Sequence, residues 1–257
     1  MTTTTRGDRD TAATSAVDVP AHTGSRATRV LGVLSVVGAV AVVVMGLLVT
    51  PADEVQGEAV RMLYIHVPVA NAMYLCVILL GVASALWLRK KTPGWDALAA
   101  ASAEVGLVFT MLVLVTGMLW GRPTWGVYWV WDARLTSTAL MAVLLAGYLA
   151  LRRVPADPVS RSRRAAIAGL LIVIDIPIIK WSVDWWRTLH QDETLSIPDA
   201  QIDGIMLFTL FLGMVVGLVV TAWLLVHRFR LAWLEDAVEE GGLDAALAER
   251  RAEAEAG

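Results

Sequence analysis

Residues 98–132 read LAAASAEVGLVFTMLVLVTGMLWGRPTWGVYWVWD, and where that stretch changes character decides the architecture. Up to Leu119 it is apolar, with Glu104 its one charge, for the roughly 20 residues a helix needs to cross a bilayer core. From Trp120 to Asp132 it carries four Trp (120, 125, 129 and 131), Tyr128 and a terminal carboxylate, before a second apolar run begins. Trp is costly to place unless both its ring and its N–H are used. A row of them where a span meets the membrane surface suggests a shelf for something large, flat and apolar.

Outward from that stretch, apolar runs recur. With 57% hydrophobic and only 18% charged residues among 257, the composition is that of a polytopic membrane protein rather than a soluble globule. Six segments are candidates to span: 30–49, 70–88, 98–119, 134–151, 166–180 and 204–226. The expected fold is therefore all-α, a polytopic membrane protein with six transmembrane helices. The fifth segment is short, with Asp175 and Pro177 near its end, so it should tilt, kink or meet a polar interior there. Residues 50–64 mix polar and apolar positions and suit a short interfacial helix. Residues 1–29, rich in Thr, Ala, Arg and Asp, read as a disordered tail. The acidic, Ala-rich stretch 231–257 reads as a helix-prone second tail, leaving 30–230 as the membrane domain. The first apolar run is too long and starts too late for a cleaved signal peptide.

Other classes are excluded by what is missing. The single cysteine, Cys76, lies in a span, so neither an intramolecular disulfide nor a thiolate metal site can form, and there is no Cys-x-x-Cys-His for covalent haem. No Gly-rich phosphate loop, His-Glu-x-x-His or serine-nucleophile motif is present, so the chain has no ATPase of its own. A net charge of −3 points to no nucleic acid.

The distribution of Lys and Arg fixes the expected orientation. Fourteen lie in the N-terminal tail (Arg6, Arg9, Arg26, Arg29), the second–third loop (Arg89, Lys90, Lys91), the fourth–fifth loop (Arg152, Arg153, Arg161, Arg163, Arg164) and after the last span (Arg228, Arg230). The opposite side holds five: Arg61, Arg122, Arg134, Lys180 and Arg187. By the positive-inside rule both termini are cytoplasmic. Loops 50–69, 120–133 and 181–203 then all face outward, carrying His66, the Trp run and His190.

Those residues make one constellation. As a strand, Trp125, Trp129 and Trp131 would share a face; as a helix, Trp125 and Trp129 would be neighbours one turn apart. An ordinary aromatic belt does not account for seven of eleven Trp (120, 125, 129, 131, 181, 185, 186) lying on one side in two loops. His66 sits in Tyr-Ile-His-Val-Pro just ahead of the second span, where Pro68 suits a first helical turn. His190 ends Trp-Trp-Arg-Thr-Leu-His. Two imidazoles from separate loops suit the two axial positions of a haem iron, and binding should weaken as they protonate. Arg61, Arg122, Arg134 and Arg187 could meet propionates through their planar forks or simply snorkel; Asp132 and Arg134 could pair with each other. Asp175 and Glu104 are ionisable groups in or near spans with no assigned role.

At this point the chain resembles a known family. Trp125-Gly-Val-Tyr-Trp-Val-Trp-Asp132 is similar to the WGxxWxWD signature of the WWD-motif haem-handling family of cytochrome c maturation. The segments Tyr64–Pro68 and Pro177–Gln191 resemble its haem exporter protein C (CcmC) branch, over about residues 50–226. The resemblance implies a protein of the bacterial cytoplasmic (inner) membrane that binds haem b as cargo on its outer face. It implies His66 and His190 as the axial ligands, with Trp120, Trp125, Trp129, Trp131 and Asp132 around the porphyrin. Implied partners are a periplasmic haem chaperone, an ABC ATPase with a second membrane subunit, and a small single-span subunit. The chain would be a haem-binding and delivery subunit rather than an enzyme. Three alternatives stand beside this. A WWD-type cytochrome c synthetase, attaching haem directly to apocytochrome, is usually longer and carries further His. A b-type electron-transfer subunit would place paired His within spans. A plain permease with anchoring Trp leaves the shared side of His66, His190 and the aromatic run unexplained.

Overall fold

The computed structural model describes residues 23–185, 189–190 and 204–256. Most of these lie in seven helices: α1 (Arg26–Val44), α2 (Leu63–Lys90), α3 (Pro93–Trp125), α4 (Ala133–Arg152), α5 (Pro158–Val173), α6 (Asp175–Trp185) and α7 (Gly204–Ala256). A π-helical turn, Met45–Val49, extends α1, and a 3-10 turn, Glu58–Met62, leads into α2. The only β pairing among the described residues is one antiparallel bridge, Asp53–Gly57. Six segments are long and apolar enough to cross a membrane, with α5 and α6 together forming the fifth. The all-α, six-span architecture expected from the sequence is what the chain adopts.

Helix ends follow local chemistry. Ser25 caps α1, accepting from Thr28 N–H at 3.2 Å while Thr28 Oγ1 accepts from Ser25 N–H at 2.8 Å. Asp132 caps α4 and Asp157 caps α5, accepting from Leu135 and Ser160 N–H at 2.8 and 2.9 Å. Pro93 and Pro158 open α3 and α5, where a missing N–H costs nothing. α3 stops at Gly126, whose φ of 80° is left-handed and open to glycine without penalty.

α2 lies at the centre, packed on α3, α5 and α7, with α4 outside α3 and α5, and α1 laid along α7. Val77, Leu80, Met141, Leu145 and Ile179 fill the main core. Outward, α1 presents Val33, Val36, Val37 and Val40, and α7 presents Phe208, Phe211 and Val215. Helices apolar on both faces are suited to lipid, which penalises unpaired polar groups but not exposed Val. Near the end opposite the Trp run, Asp96 and Arg152 form a buried bidentate pair at 2.7 and 2.8 Å that ties the start of α3 to the end of α4.

Two local expectations change, and a third is made specific. α2 begins at Leu63, so His66 and Pro68 lie inside a helix rather than in a loop ahead of it. The 3-10 turn feeds α2 without a break, and Pro68, having no N–H, leaves the Tyr64 carbonyl without its usual helical donor. α7 closes on that spot with Gly213, where an added Cβ would come within 2.9 Å of the Tyr64 carbonyl oxygen. The 50–64 segment forms no interfacial helix of its own: it holds the 3-10 turn Glu58–Met62, which runs directly into the first two residues of α2. The expected irregularity of the fifth span is a one-residue break at Ile174, immediately before Asp175, whose carboxylate is buried with neither oxygen hydrogen-bonded among the described residues. Glu104 pairs with Arg228 at 2.5 Å.

Candidate functional site

An up-and-down bundle brings the start of α2, the end of α3, the start of α4 and the end of α6 to one pole. The sequence places His66 there on the first turn of α2, with Trp120 and Trp125 in the last two turns of α3. Asp132 stands at the head of α4 and His190 five residues beyond α6. His66 Nδ1 lies 2.8 Å from Thr116 Oγ1, one turn before Trp120 on α3. The Trp120 ring meets the His66 ring edge-on, with centroids 5.6 Å apart, and its N–H donates to Gln56 Oε1 at 2.9 Å. Gly117 makes room for His66: a Cβ there would sit 3.2 Å from the imidazole Cε1.

His190 is held from the other side. Its Nδ1 lies 2.7 Å from Asp132 Oδ2, and Trp125 meets its ring edge-on at 4.8 Å. Burial pushes the His190 imidazole below its ordinary value, and the bond to Asp132 works against that. The two histidines and Arg134 lie within electrostatic reach of one another. Asp132 therefore has two tasks, capping α4 through Oδ1 and holding His190 through Oδ2.

The Trp run is neither the strand nor the continuous helix considered from the sequence. It is helical through Trp125, turns at Gly126 and runs irregularly to Asp132. Pro123 is within the last turn, and the left-handed Gly126 ends the helix. Its four indoles consequently face different ways. Trp120 and Trp125 flank the imidazoles, Trp129 packs edge-on to Trp131 at 5.4 Å, and Trp131 is 83% exposed. The Trp129 N–H is buried with no hydrogen-bond acceptor among the described residues.

The arginines divide. Arg61 is engaged by Glu58 and by the Gly46 carbonyl, so it ties the 3-10 turn to the end of α1. Arg122 donates to the Gly126 carbonyl at 2.6 Å and lies over the Tyr128 ring. Arg134 reaches the Lys180 carbonyl at 3.4 Å. Arg187, Trp186 and the Trp185 side chain lie outside the described residues. Thr116 and Gln56 belong to no motif in the sequence. The available signal for Thr116 was its spacing, one helical turn before Trp120 and so on the same face.

Among the described residues there is no group of three or more His, Cys, Asp or Glu able to enclose a metal ion. Two imidazoles suffice only for a metal that brings its own equatorial ligands, as a porphyrin iron does. The buried Trp129 N–H, unpaired among the described residues, and the flanking indoles fit a large apolar ligand with polar edges.

The family model described as "Heme exporter protein C" matches residues 13–241, extending past both ends of the resemblance drawn from the motifs. A putative ccmC-like mitochondrial cytochrome c biosynthesis protein of Marchantia polymorpha is 41% identical over 164 residues, 64% of this chain and 69% of that protein. The heme exporter protein C of Haemophilus influenzae is 36% identical over 198 residues, covering 76% and 79% of the two chains. That of Bradyrhizobium diazoefficiens is 46% identical over 141 residues, where the match spans about half of either chain (55% and 54%). By these matches the chain belongs to the haem exporter protein C family, and it is a multi-pass protein of the bacterial inner membrane in a family that handles haem during cytochrome c maturation.

Proposed function

We propose that this chain binds haem b as cargo at the periplasmic pole of the bundle and presents it to a periplasmic haem chaperone. His66 and His190 are the axial ligands, Trp120 and Trp125 flank them, and Trp129, Trp131 and Asp132 complete the aromatic edge. One observation carries this reading: two histidines from either side of the Trp-rich segment in the sequence stand at one pole, each against an indole of that segment. The Lys/Arg distribution assigns that pole to the outside. Residues 30–230 form the haem-handling domain, with 1–29 and 231–257 on the cytoplasmic side. An ABC ATPase, a second membrane subunit and a small single-span subunit complete the machine, since this chain has no nucleotide-binding motif of its own. It acts as a delivery subunit, and any covalent step belongs to haem and chaperone.

The test is a visible spectrum of protein purified in detergent from haem-producing cells. Wild type should show the Soret band of six-coordinate haem, lost or shifted in His66→Ala, in His190→Ala and in the triple Trp125→Ala, Trp129→Ala, Trp131→Ala variant. Equal haem content and spectra in folded wild type and variants would remove the axial-ligand assignment.

A further inference from the structure

Thr116 has one hydroxyl proton, and its nearest acceptor is on its own helix. Oγ1 donates to the Leu112 carbonyl at 2.7 Å, with the Val113 carbonyl at 3.3 Å. With the proton directed to the Leu112 carbonyl, which can only accept, the hydroxyl oxygen is left to accept in the 2.8 Å contact with His66 Nδ1, and Nδ1 would then carry the ring proton. An ionised carboxylate has no proton to give, so with Asp132 in that form the His190 Nδ1 would donate in their 2.7 Å contact. In both neutral rings the lone pair is then on Nε2.

The two backing groups are not equivalent. A carboxylate accepting from an imidazole N–H raises the basicity of the opposite nitrogen and strengthens its bond to a metal. A neutral hydroxyl is the weaker acceptor. Asp132 is also clamped, with Oδ1 fixed by the Leu135 N–H at 2.8 Å and its side chain only 5% exposed.

We propose that Thr116 and Asp132 are positioning residues that impose the Nδ1–H tautomer on His66 and His190 while making them unequal ligands. His190, backed by carboxylate, binds iron more strongly, and His66, backed by hydroxyl, is the bond that opens first when haem leaves. The ranking of the ligands rests on the haem-binding reading above; the tautomers do not. A carrier with two equally strong axial bonds would release slowly and in no set order. One weaker bond gives release a defined first step.

The experiment has a haem-free arm and a haem-loaded arm. In haem-free protein labelled with 15N-histidine, two-bond N–H couplings report each tautomer. Wild type should show Nδ1–H at both rings. Asp132→Asn keeps its carbonyl on the Leu135 N–H and turns its amide N–H towards His190, which should switch to Nε2–H. Thr116→Val should release His66 to Nε2–H, and Thr116→Ser should restore it. A wild type with Nε2–H rings, or variants that leave the tautomers unchanged while circular dichroism shows them folded, would overturn the positioning role whatever haem does. Should Asp132→Asn not fold, the Thr116→Val and Thr116→Ser pair still decides the His66 half, and the wild-type spectrum decides His190.

In the second arm the variants are loaded with excess haem, because loss of such a partner weakens ligation by about 10–100-fold. The reduced protein is then exposed to carbon monoxide. If His66 is displaced, His190 stands opposite the bound gas, so Asp132→Asn should shift the Fe–CO stretching frequency and Thr116→Val should not. The reverse pattern, or no difference, would overturn the ranking. Correct tautomers together with haem spectra indifferent to His66→Ala and His190→Ala would instead locate the failure in the haem-binding reading.

Discussion

At the scale of single residues, the site depends on how closely His66 and His190 are seated. Gly117→Ala places a methyl 3.2 Å from the His66 Cε1, too tight for the ring to stay where it is. Haem retention should fall about tenfold, the low end for changes that misplace a metal ligand, with an unchanged circular dichroism spectrum; equal retention by equilibrium haem transfer would refute it. Acid acts on the same imidazoles. Ligation needs a neutral ring, and burial holds His190 below the ordinary imidazole value of 6.5. Protons should therefore begin to compete at His190 only below that value, so its iron bond persists from about pH 8 to about pH 6.5 and fails on further acidification. A titration of the haem spectrum in a His66→Gly background, with external imidazole supplied at fixed neutral-form concentration, isolates this; loss centred above pH 6.5 would contradict it. His66, His190 and Asp132 were legible in the sequence because rare residue types beside an aromatic run stand out in an apolar chain. Thr116 was not, because a span contains many hydroxyls satisfied by their own helix, as Thr110 and Thr221 are. Only the fold shows which one also faces an imidazole.

At the scale of elements, the contacts that hold helices together are the ones that position the site. α7 supports α2 at Gly213, against Tyr64 and Pro68, two residues to either side of His66. Gly213→Ala brings a Cβ to 2.9 Å from the Tyr64 carbonyl oxygen and 3.0 Å from the Pro68 ring. Backbone cannot rotate away as a side-chain tip can, so the helices must part, at a cost of about 1–3 kcal/mol. Thermal unfolding in detergent should show the loss, together with a weakened haem spectrum. At the other end, removing one partner of the Asp96–Arg152 pair strands a buried charge. Asp96→Ala should cost about 3–5 kcal/mol, and Asp96→Leu with Arg152→Met should recover most of it; equal losses in the single and double variants would show that the pair acts otherwise. The six apolar elements were readable from composition because a bilayer demands length and hydrophobicity, both of which are local properties. The start of α2 was misjudged because Pro68 reads as a helix opening in isolation. Inside the bundle, Gly213 and Gly217 accommodate the proline within a helix already under way. Asp175 and Pro177 did announce the break in the fifth span, since both disturb a helix at the sequence level.

At the scale of the whole molecule, an even number of spans puts both ends of the chain on one side, and the function depends on which side that is. Fourteen cations against five is a sequence-level statement about insertion; the fold adds that His66, His190 and all four Trp of the 120–132 run stand at the pole with few cations. The two lines are independent, because Lys and Arg in loops set orientation without choosing where imidazoles meet. Exposed positions on each pole make the orientation measurable. With buried Cys76 replaced by Ala, single cysteines would be introduced at Val55 and Tyr128 on the site pole and at Val154 and Val238 on the other. All four native side chains are well exposed, at 89%, 57%, 45% and 74%. In spheroplasts a membrane-impermeant maleimide should label the first pair, and the second pair only after the membrane is opened. The opposite pattern would place the imidazoles in the cytoplasm, where a periplasmic chaperone cannot reach them, and the delivery reading would fall even if haem were bound. Labelling at Tyr128 that haem suppresses, with labelling at Val55 unchanged, would in addition show that the ligand covers the Trp segment rather than the whole pole.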